Sequence, residues 1–248
     1  MIDFQSLSKS YGAFDAVRPL TLTVQRGEVF GFLGPNGAGK TTTIRMMMGI
    51  LVPSGGRVTI AGLDCHAERA RVQQRSGYLP DNPVFYDYLR GREILQFVAE
   101  MHGLTRREAA LRAEQALQDW GLGEATEEFA VNYSMGMKKK LGLACALMHE
   151  PDVLILDEPI NGLDPRAARE VLDRLKAIAG QGRTIFVSTH LLDMAERLCT
   201  RIGIIDRGQL VAAGTAAELR REGAASESLE DIFLRMTQQP EDATPPVP

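Results

Sequence analysis

The sequence predicts an α/β protein with a mostly parallel sheet, an antiparallel β subdomain near the N-terminus and a helical insertion in the middle. Three observations carry this prediction. Continuous apolar runs alternate with helical patterns from residue 152 onward, as in a parallel sheet covered on both faces. Short strand patterns separated by glycine turns occupy the first third of the chain. Two amphipathic helical patterns then follow one another between residues 92 and 120.

Length and composition are those of a globular chain with a sizeable core. Of 248 residues, 44% are hydrophobic and 24% are charged, and the formal net charge is −4. This balance disfavours a nucleic-acid partner, because non-specific binding to nucleic acid depends on clustered positive charge. Cys65, Cys145 and Cys199 lack the spacing of metal ligands and predict reduced thiols. We find no signal-peptide pattern at the start and no apolar run of the roughly 18 residues that a spanning helix needs.

The first third of the chain predicts short strands joined by turns. Residues 20–24 alternate apolar and polar side chains, and residues 29–33 form a continuous apolar run after a turn. A glycine-rich turn and a helical pattern over residues 40–48 come next. Residues 57–60, bounded by glycines, predict another strand.

The middle of the chain changes to helical patterns. We predict one helix over residues 92–101 and a second over residues 106–120. Thr105 and Glu108 have the spacing of a capping box, which marks the start of the second helix. These helices belong to an insertion over about residues 82–150.

The last part of the chain returns to alternating strands and helices. Strands are predicted over four apolar ranges, namely 153–156, 184–187, 202–205 and 209–212. Helices are predicted from Pro165 onward and over residues 190–198. Residues 237–248 are rich in proline and carry too little apolar surface to pack, so we expect a disordered tail there.

A phosphate-binding loop is the most specific motif in the sequence. Residues 34–41, here called the phosphate loop, match G-x-x-x-x-G-K-[ST] and lie between a predicted strand and a predicted helix. Backbone N–H groups of such a loop surround a phosphate, Lys40 reaches the β- and γ-phosphates, and the Thr41 hydroxyl binds Mg²⁺. The alternative, a plain glycine-rich hairpin turn, does not explain the Lys-Thr pair before a helix. The candidate ATP-binding residues here are Gly34, Pro35, Asn36, Gly37, Ala38, Gly39, Lys40, Thr41 and Thr42.

Two acidic residues follow the buried strand at residues 153–156. Side chains just beyond the carboxyl end of a parallel strand face the ligand crevice. We therefore expect Asp157 to reach Mg²⁺ through water and Glu158 to polarise the attacking water as a general base. An ordinary charged turn is the alternative for this pair alone. Together with the phosphate loop, the pair predicts the core of a P-loop nucleotide-hydrolysing enzyme.

Five further segments complete a set of motifs in a fixed order: 11–12, 77–81, 133–137, 161–165 and 188–190. With the phosphate loop and the acidic pair, they resemble the nucleotide-binding subunits of ATP-binding cassette (ABC) transporters from about Ile2 to Phe233. The resemblance implies one ATP-binding domain over residues 1–236. It also implies ATP and Mg²⁺ as cofactors.

Tyr11 resembles the family's aromatic residue that stacks on adenine. Stacking on an aromatic ring gives affinity with little base selectivity. A tyrosine packed into a sheet is the alternative for this position.

Residues 133–137, the signature segment, take the place of the family's Leu-Ser-Gly-Gly-Gln signature. Ser134 is an N-cap candidate of the helix that follows, and Gly136 allows close approach of a ligand. In the family this helix start points at the γ-phosphate held by the opposite subunit. Met135 and Met137 depart from the family pattern, so only Ser134 and Gly136 carry that role over.

Three lysines, residues 138–140, follow the signature segment at once. We interpret this run as a solvated helix face. Three cations in the first turn of a helix oppose its dipole, so the alternative is an anion that faces them, such as a nucleotide or an acidic protein surface.

Three single residues also match family positions. Asp164 resembles the loop residue that contacts the partner subunit's site, and it is also an N-cap candidate with proline at the first helical position. His190 takes the place of the histidine that senses the γ-phosphate. Asp81 stands where the family usually carries glutamine, and a carboxylate there can still meet Mg²⁺.

The resemblance implies that two such chains, a homodimer, pair head to tail and sandwich ATP between the phosphate loop of one and the signature segment of the other. It also implies a separate transmembrane permease subunit, received at about residues 81–101, and a location on the cytoplasmic side of the membrane. We predict an ATPase that energises export. The alternatives are a cassette ATPase outside transport, a P-loop kinase or GTPase-like switch, and a clamp that binds ATP without hydrolysis.

Overall fold

The computed structural model describes residues 1–221 and 228–237. Within these ranges the strands are β1 (Ile2–Tyr11), β2 (Phe14–Val24), β3 (Val29–Leu33), β4 (Gly55–Ile60), β5 (Leu63–Asp64), β6 (Ser76–Leu79), β7 (Val153–Asp157), β8 (Thr184–Thr189), β9 (Arg201–Asp206) and β10 (Gln209–Gly214). The helices are α1 (Lys40–Met47), α2 (Arg69–Arg75), α3 (Gly91–Met101), α4 (Arg106–Asp119), α5 (Met135–Leu147), α6 (Pro165–Gly180), α7 (Leu192–Leu198), α8 (Ala216–Arg221) and α9 (Leu229–Thr237).

The strands form two sheets. A four-stranded antiparallel sheet has the order β2-β1-β4-β5. A six-stranded sheet has the order β10-β9-β3-β8-β7-β6, in which only β10 runs antiparallel to its neighbour. The predicted fold class, a mostly parallel sheet with an antiparallel β subdomain, is therefore confirmed.

The parallel sheet brings the candidate site residues to one edge. The phosphate loop follows β3, the acidic pair lies at the end of β7, and His190 follows β8. Asp81 comes two residues after β6. Because these strands are parallel, their carboxyl ends share one edge of the sheet, where ligands of open α/β sheets bind.

An aromatic cluster joins the two sheets. The Phe186 ring on β8 lies 5.7 Å from the ring centroid of Phe30 and 5.4 Å from that of Phe32, both on β3. It also lies 6.0 Å from the ring of Phe4 on β1, which belongs to the antiparallel sheet. All four rings are fully buried, so the antiparallel sheet is anchored on the strand that precedes His190.

The helical insertion has its own packing against the parallel sheet. Leu95 of α3, Leu117 of α4 and Leu141 of α5 belong to one buried cluster that also contains residues of β7 and β8. The predicted capping box at the start of α4 is present: Glu108 N–H donates to Thr105 Oγ1 at 3.3 Å, and Thr105 N–H donates to the Glu108 carboxylate at 2.9 Å. This packing fixes α5, which carries the signature segment, relative to the acidic pair.

Several element boundaries differ from the sequence-based expectations. The helix expected over residues 190–198 begins at Leu192, so His190 lies in the connection after β8. Residues 77–79, which belong to the motif segment 77–81 and for which no strand was predicted, form β6 together with Ser76. This strand forms by backbone pairing with β7, and the side chains of its four residues alone do not predict that pairing. Of the expected disordered tail, Thr237 is the last residue of α9, and residues 238–248 lie outside the described residues.

None of the helices in the described ranges combines the length and the apolar character that crossing a bilayer requires.

Candidate active site

The phosphate loop requires glycine at two positions, one for its backbone conformation and both for lack of space. Gly39 has φ = +103°, and a Cβ there would lie 2.5 Å from the Ala16 carbonyl oxygen. A Cβ on Gly34 would lie 2.4 Å from the Ile205 carbonyl oxygen. Gly39 is also the N-cap of α1, and no side chain caps that helix. The N–H groups of its first turn thus remain available to an anion, which the helix dipole also favours.

The Lys40 side chain contacts the backbone at the start of the phosphate loop. Its Nζ donates to the carbonyl oxygens of Gly34 at 2.7 Å and Pro35 at 3.1 Å, and lies 3.4 Å from Glu158 Oε1. The side chain is buried. Two of its three partners are neutral carbonyls, so this ammonium can exchange partners for a phosphate, which carries more charge.

Thr41 and Asp157 bring two oxygen atoms together from different elements. Thr41 Oγ1 donates to Asp157 Oδ2 at 2.8 Å, and the Ser188 hydroxyl donates to Asp157 Oδ1. Burial raises the pKa of Asp157, and the two hydroxyl hydrogen bonds oppose that rise. A buried carboxylate beside a threonine hydroxyl is the kind of oxygen pair that Mg²⁺ prefers, so these residues fit the metal that the sequence predicts.

Glu158 has one carboxylate oxygen engaged and the other buried without a hydrogen-bond partner among the described residues. Its φ is +47°, in the left-handed region, and its N–H donates to the Ser188 carbonyl oxygen at 3.1 Å. Oε1 lies 3.0 Å from His190 Nδ1. Oε2 is buried and has no hydrogen-bond partner among the described residues. An unpaired buried carboxylate oxygen at a ligand crevice is suited to accept a proton from water.

A cleft of about 690 Å³ is lined by most of these groups, whereas Gly34, Pro35 and Asp157 are not among its lining residues. It is lined by Tyr11, Phe14, Ala16, Asn36, Gly37, Ala38, Gly39, Lys40, Thr41, Thr42, Asp81, Glu158, Asn161 and His190. The predicted aromatic, phosphate-binding and catalytic positions therefore meet in one place. Its volume lies in the range of small-molecule sites in proteins.

Phe14 and Ala16 line the cleft but were not singled out from the sequence, and Asn161 was named there only as part of the motif segment 161–165. Tyr11 and Phe14 pair directly across the turn between β1 and β2, and both rings are more than half exposed. The short Gly12-Ala13 connection is the signal that could have identified Phe14, because a tight turn places its two flanking residues opposite one another.

Residues 134–137 of the signature segment are exposed or partly exposed and lie outside this cleft, whereas Tyr133 is buried. Ser134 is exposed and caps α5, since its hydroxyl accepts from Met137 N–H at 3.2 Å. A Cβ on Gly136 would meet Leu163 Cδ2 at 3.6 Å, an ordinary contact. Packing within the chain therefore does not require glycine at position 136.

Asp164 is the N-cap of α6. Its carboxylate accepts from the N–H groups of Ala167 and Arg166, both at 3.0 Å, and these hydrogen bonds lower its pKa. Pro165 is the first residue of the helix. The predicted capping role is confirmed, and contact with a partner subunit stays a prediction.

The lysine run is not a uniformly solvated face, and that interpretation is wrong for Lys139. This side chain is only 1% exposed, and its Nζ lies 3.4 Å from Asp81 Oδ1 and donates to the Glu158 carbonyl oxygen. Lys140 pairs with Glu170 on α6 at 2.9 Å, and Lys138 is partly exposed. Anions do face the run, and for Lys139 and Lys140 they belong to the same chain.

Comparisons of the chain with known proteins all indicate the same family. The family described as "ABC transporter" matches residues 17–161. The chain is 38% identical over 219 residues to the linearmycin resistance ATP-binding protein LnrL of Bacillus subtilis, covering 88% of this chain and 70% of LnrL. It is 37% identical over 240 residues to the probable multidrug ABC transporter ATP-binding protein YbhF of Escherichia coli, covering 95% of this chain but 41% of YbhF.

Solved structures agree with this result. A structure described as the ATP-binding subunit of an ABC transporter superposes with a TM-score of 0.88 at 33% identity and covers 96% of this chain and 100% of that one. A dimeric ATP-binding cassette, MJ0796, bound to ADP and Pi, has a TM-score of 0.80 at 20% identity, with 87% and 98% coverage, and shares the fold. The family match, the sequence identities and the shared fold agree with the site geometry, and the chain belongs to the ABC transporter family.

Proposed function

We propose that this chain is the ATP-hydrolysing subunit of an ABC transporter and energises export through a separate membrane subunit. The observation that carries the proposal is the meeting of Lys40, Thr41, Asp157, Glu158 and His190 at the carboxyl edge of one parallel sheet. A phosphate-binding cation, an oxygen pair for a metal and a carboxylate with one free oxygen are the groups that phosphoryl transfer to water requires.

ATP binds through its adenine and through its phosphates. The adenine stacks on Tyr11, whose exposed ring lines the cleft, with Phe14 opposite it across the turn between β1 and β2. The phosphates occupy the phosphate loop, where Lys40 and the uncapped start of α1 provide positive charge.

Thr41 and Asp157 hold the Mg²⁺ that accompanies the nucleotide, and Asp81 lines the same cleft as a further candidate ligand. When bound, the metal supplies positive charge that offsets the charge of the phosphates. Asp157 is prepared for this role by the Ser188 hydroxyl, which fixes the orientation of its carboxylate.

Glu158 acts as the general base. Its free Oε2 accepts a proton from the water that attacks the γ-phosphate, while His190 holds Oε1 and so fixes the direction of the carboxylate. The left-handed backbone at Glu158 turns the chain directly after β7 and keeps this side chain at the crevice.

A second copy of the chain completes each site. Ser134 and Gly136 lie outside the cleft at an exposed helix start whose N–H groups and dipole suit an anion. The MJ0796 cassette, which shares the fold, is described as dimeric, and this supports pairing of two cassettes here. The γ-phosphate of one copy then meets the signature segment of the other, and Asp164 lies in the loop that reaches across.

A membrane subunit docks on the helical insertion and holds the chain at the cytoplasmic side of the membrane. Exposed apolar side chains occur just after Asp81 and along α3, namely Val84, Tyr86, Tyr88, Phe97 and Met101, and three of them, Tyr86, Tyr88 and Phe97, line one apolar pocket. An apolar cluster of this kind is typical of an interface. It begins three residues from Asp81, which lines the nucleotide cleft, so docking and nucleotide binding involve neighbouring residues. The names of LnrL and YbhF refer to drug resistance and multidrug transport, which favours export.

Phosphate release from ATP by the purified chain tests the proposal. The parent chain should release phosphate in steady state with Mg²⁺ present, and Glu158→Gln should lower kcat by about 100- to 10,000-fold, because a general base contributes that much. Glu114→Gln, an exposed substitution on α4, is the matched control and should retain parental kcat. A parent chain that binds ATP but releases no phosphate would favour the non-hydrolysing clamp.

A further inference from the structure

One buried ammonium joins three segments of the site. Lys139 lies on α5, five residues after Ser134. Its Nζ donates to the Glu158 carbonyl oxygen after β7 and lies 3.4 Å from Asp81 Oδ1 after β6. The Lys139 side chain is 1% exposed and its contact with the Glu158 carbonyl oxygen is buried, whereas the Asp81 side chain is 37% exposed.

Burying an ammonium carries a large desolvation cost, and burial lowers the pKa of Lys139. The carboxylates of Asp81, Glu158 and Asp157 act in the opposite direction and favour the charged form. A position that only filled space would be satisfied by an apolar side chain of the same length. The contacts instead use the charge and the donor capacity of Lys139.

Of the two partners of Lys139, the Glu158 carbonyl oxygen indicates more clearly what the ammonium does in the site. Glu158 has φ = +47°, a conformation that a residue with a side chain keeps only when its surroundings hold it. Its N–H is held by the Ser188 carbonyl oxygen at 3.1 Å, and its carbonyl oxygen accepts from Asn161 N–H at 3.2 Å and from Lys139. Lys139 supplies the one charged donor in this set.

We propose that Lys139 is a positioning residue for hydrolysis: it holds the backbone of Glu158 so that the carboxylate faces the γ-phosphate, and Asp81 holds Lys139 in place. The inference rests on the proposed function, because it assigns Glu158 as the general base. Lys139 connects α5, the segment after β6 and the general base Glu158 within one chain. A displacement of Asp81 or of α5 therefore changes the position of the Glu158 backbone.

Lys140 provides a matched control. It is the next residue of the same helix, and its Nζ pairs with Glu170 on α6 at 2.9 Å, away from the nucleotide cleft. Lys140→Met removes the same charge and the same number of donors from α5 without touching Asp81 or Glu158.

The test compares Lys139→Met, Asp81→Asn, the double variant and Lys140→Met as full-length purified chains. Methionine keeps the length of the buried side chain and removes its charge, which folded cores usually tolerate. We expect Lys139→Met to lower kcat by about 10-fold, the effect of losing one charged hydrogen bond, with unchanged KM for ATP and unchanged affinity for a fluorescent ATP analogue. Lys140→Met should match the parent chain.

The double variant tests whether Asp81 acts through Lys139. If Asp81 acts only by holding Lys139, and not as a further metal ligand, adding Asp81→Asn to Lys139→Met changes kcat no further, because residues that act as a unit are not additive. A further fall of the size seen with Asp81→Asn alone overturns this part of the proposal.

Hydrogen exchange without nucleotide gives a second measurement that does not depend on activity. Amides of residues 158–161 should exchange faster in Lys139→Met than in Lys140→Met, because the Glu158 carbonyl loses a donor. Parental kcat in Lys139→Met, or a loss of kcat that only follows a lower unfolding temperature, overturns the inference. If the parent chain itself releases no phosphate, the proposed function fails instead, and the exchange result still tests the contact.

Discussion

Lys40 and Glu158 form a buried ion pair, with Nζ 3.4 Å from Oε1 and side chains only 7% and 9% exposed. The phosphate-binding cation and the candidate base thus neutralise one another across the cleft. An incoming phosphate competes with Glu158 for Lys40. We expect ATP to separate the pair and leave Glu158 with His190 as its partner at Oε1.

Lys40→Met should weaken ATP binding by about 10- to 100-fold, since a charged hydrogen bond contributes about 1.5–3 kcal/mol. Isothermal titration with ATP measures this. Lys176→Met, on the exposed face of α6, is the control and should bind like the parent chain. Equal affinity in Lys40→Met and the parent would show that the phosphates lie elsewhere.

Glu158→Gln should bind ATP at least as tightly as the parent chain, although it loses hydrolysis. The substitution removes the negative charge that competes for Lys40 and that repels the γ-phosphate. Equilibrium binding of ATP at low temperature, over a time too short for turnover, makes the comparison. Weaker binding would contradict the competition between phosphate and carboxylate.

Tyr11→Ala should lose about 1–3 kcal/mol of binding free energy for ATP, and Tyr11→Phe should lose little, because stacking uses the ring and not the hydroxyl. GTP should show a similar loss, since every base has a face that can stack. Phe14→Ala, across the same turn, shows whether the second ring contributes. If Tyr11→Ala bound both nucleotides with parental affinity, Tyr11 would not be part of the binding site.

The order of elements and the phosphate loop were predictable because they depend on neighbours in sequence. The strand-loop-helix arrangement around Lys40, the cap at Ser134 and the cap at Asp164 all follow from local side-chain patterns. The long strand β1 was not predicted, because irregularities in its register break the alternation that identifies a half-buried strand.

The burial of Lys139 was not predictable in the same way. Its partners Asp81 and Glu158 lie 58 and 19 residues away in the chain. Only the parallel pairing of β6 with β7, together with the packing of α5 against them, brings these residues together. A run of three lysines carries no sign in sequence that its middle member faces inward.

Variants of Asp164 distinguish its structural role as a helix N-cap from its proposed role at a dimer contact. Its folded pKa is lowered, so its stabilising effect is complete above the unfolded pKa and is lost as the pH falls through the folded value. Asp164→Ala should therefore lower the free energy of unfolding in urea at neutral pH, and the difference from the parent should shrink in acid, where the protonated Asp164 carboxyl still accepts the capping hydrogen bonds but carries no charge.

Asp164→Asn is the matched variant, since asparagine also caps helices but carries no charge. It should keep most of the stability at neutral pH, so any loss of ATP-dependent dimerisation in Asp164→Asn reports the contact with the partner. An alanine variant as stable as the parent at neutral pH would contradict the capping role.

Completion of each site by a second copy is the central claim, and mixing two inactive chains tests it most directly. Lys40→Met keeps an intact signature segment, whereas Gly136→Glu keeps an intact phosphate loop and places a negative charge where the partner's γ-phosphate is expected. Each chain alone should release phosphate no faster than Glu158→Gln. Their mixture should recover phosphate release, because a heterodimer contains one intact composite site. A mixture no more active than the sum of its parts, with both chains folded, would contradict the shared site.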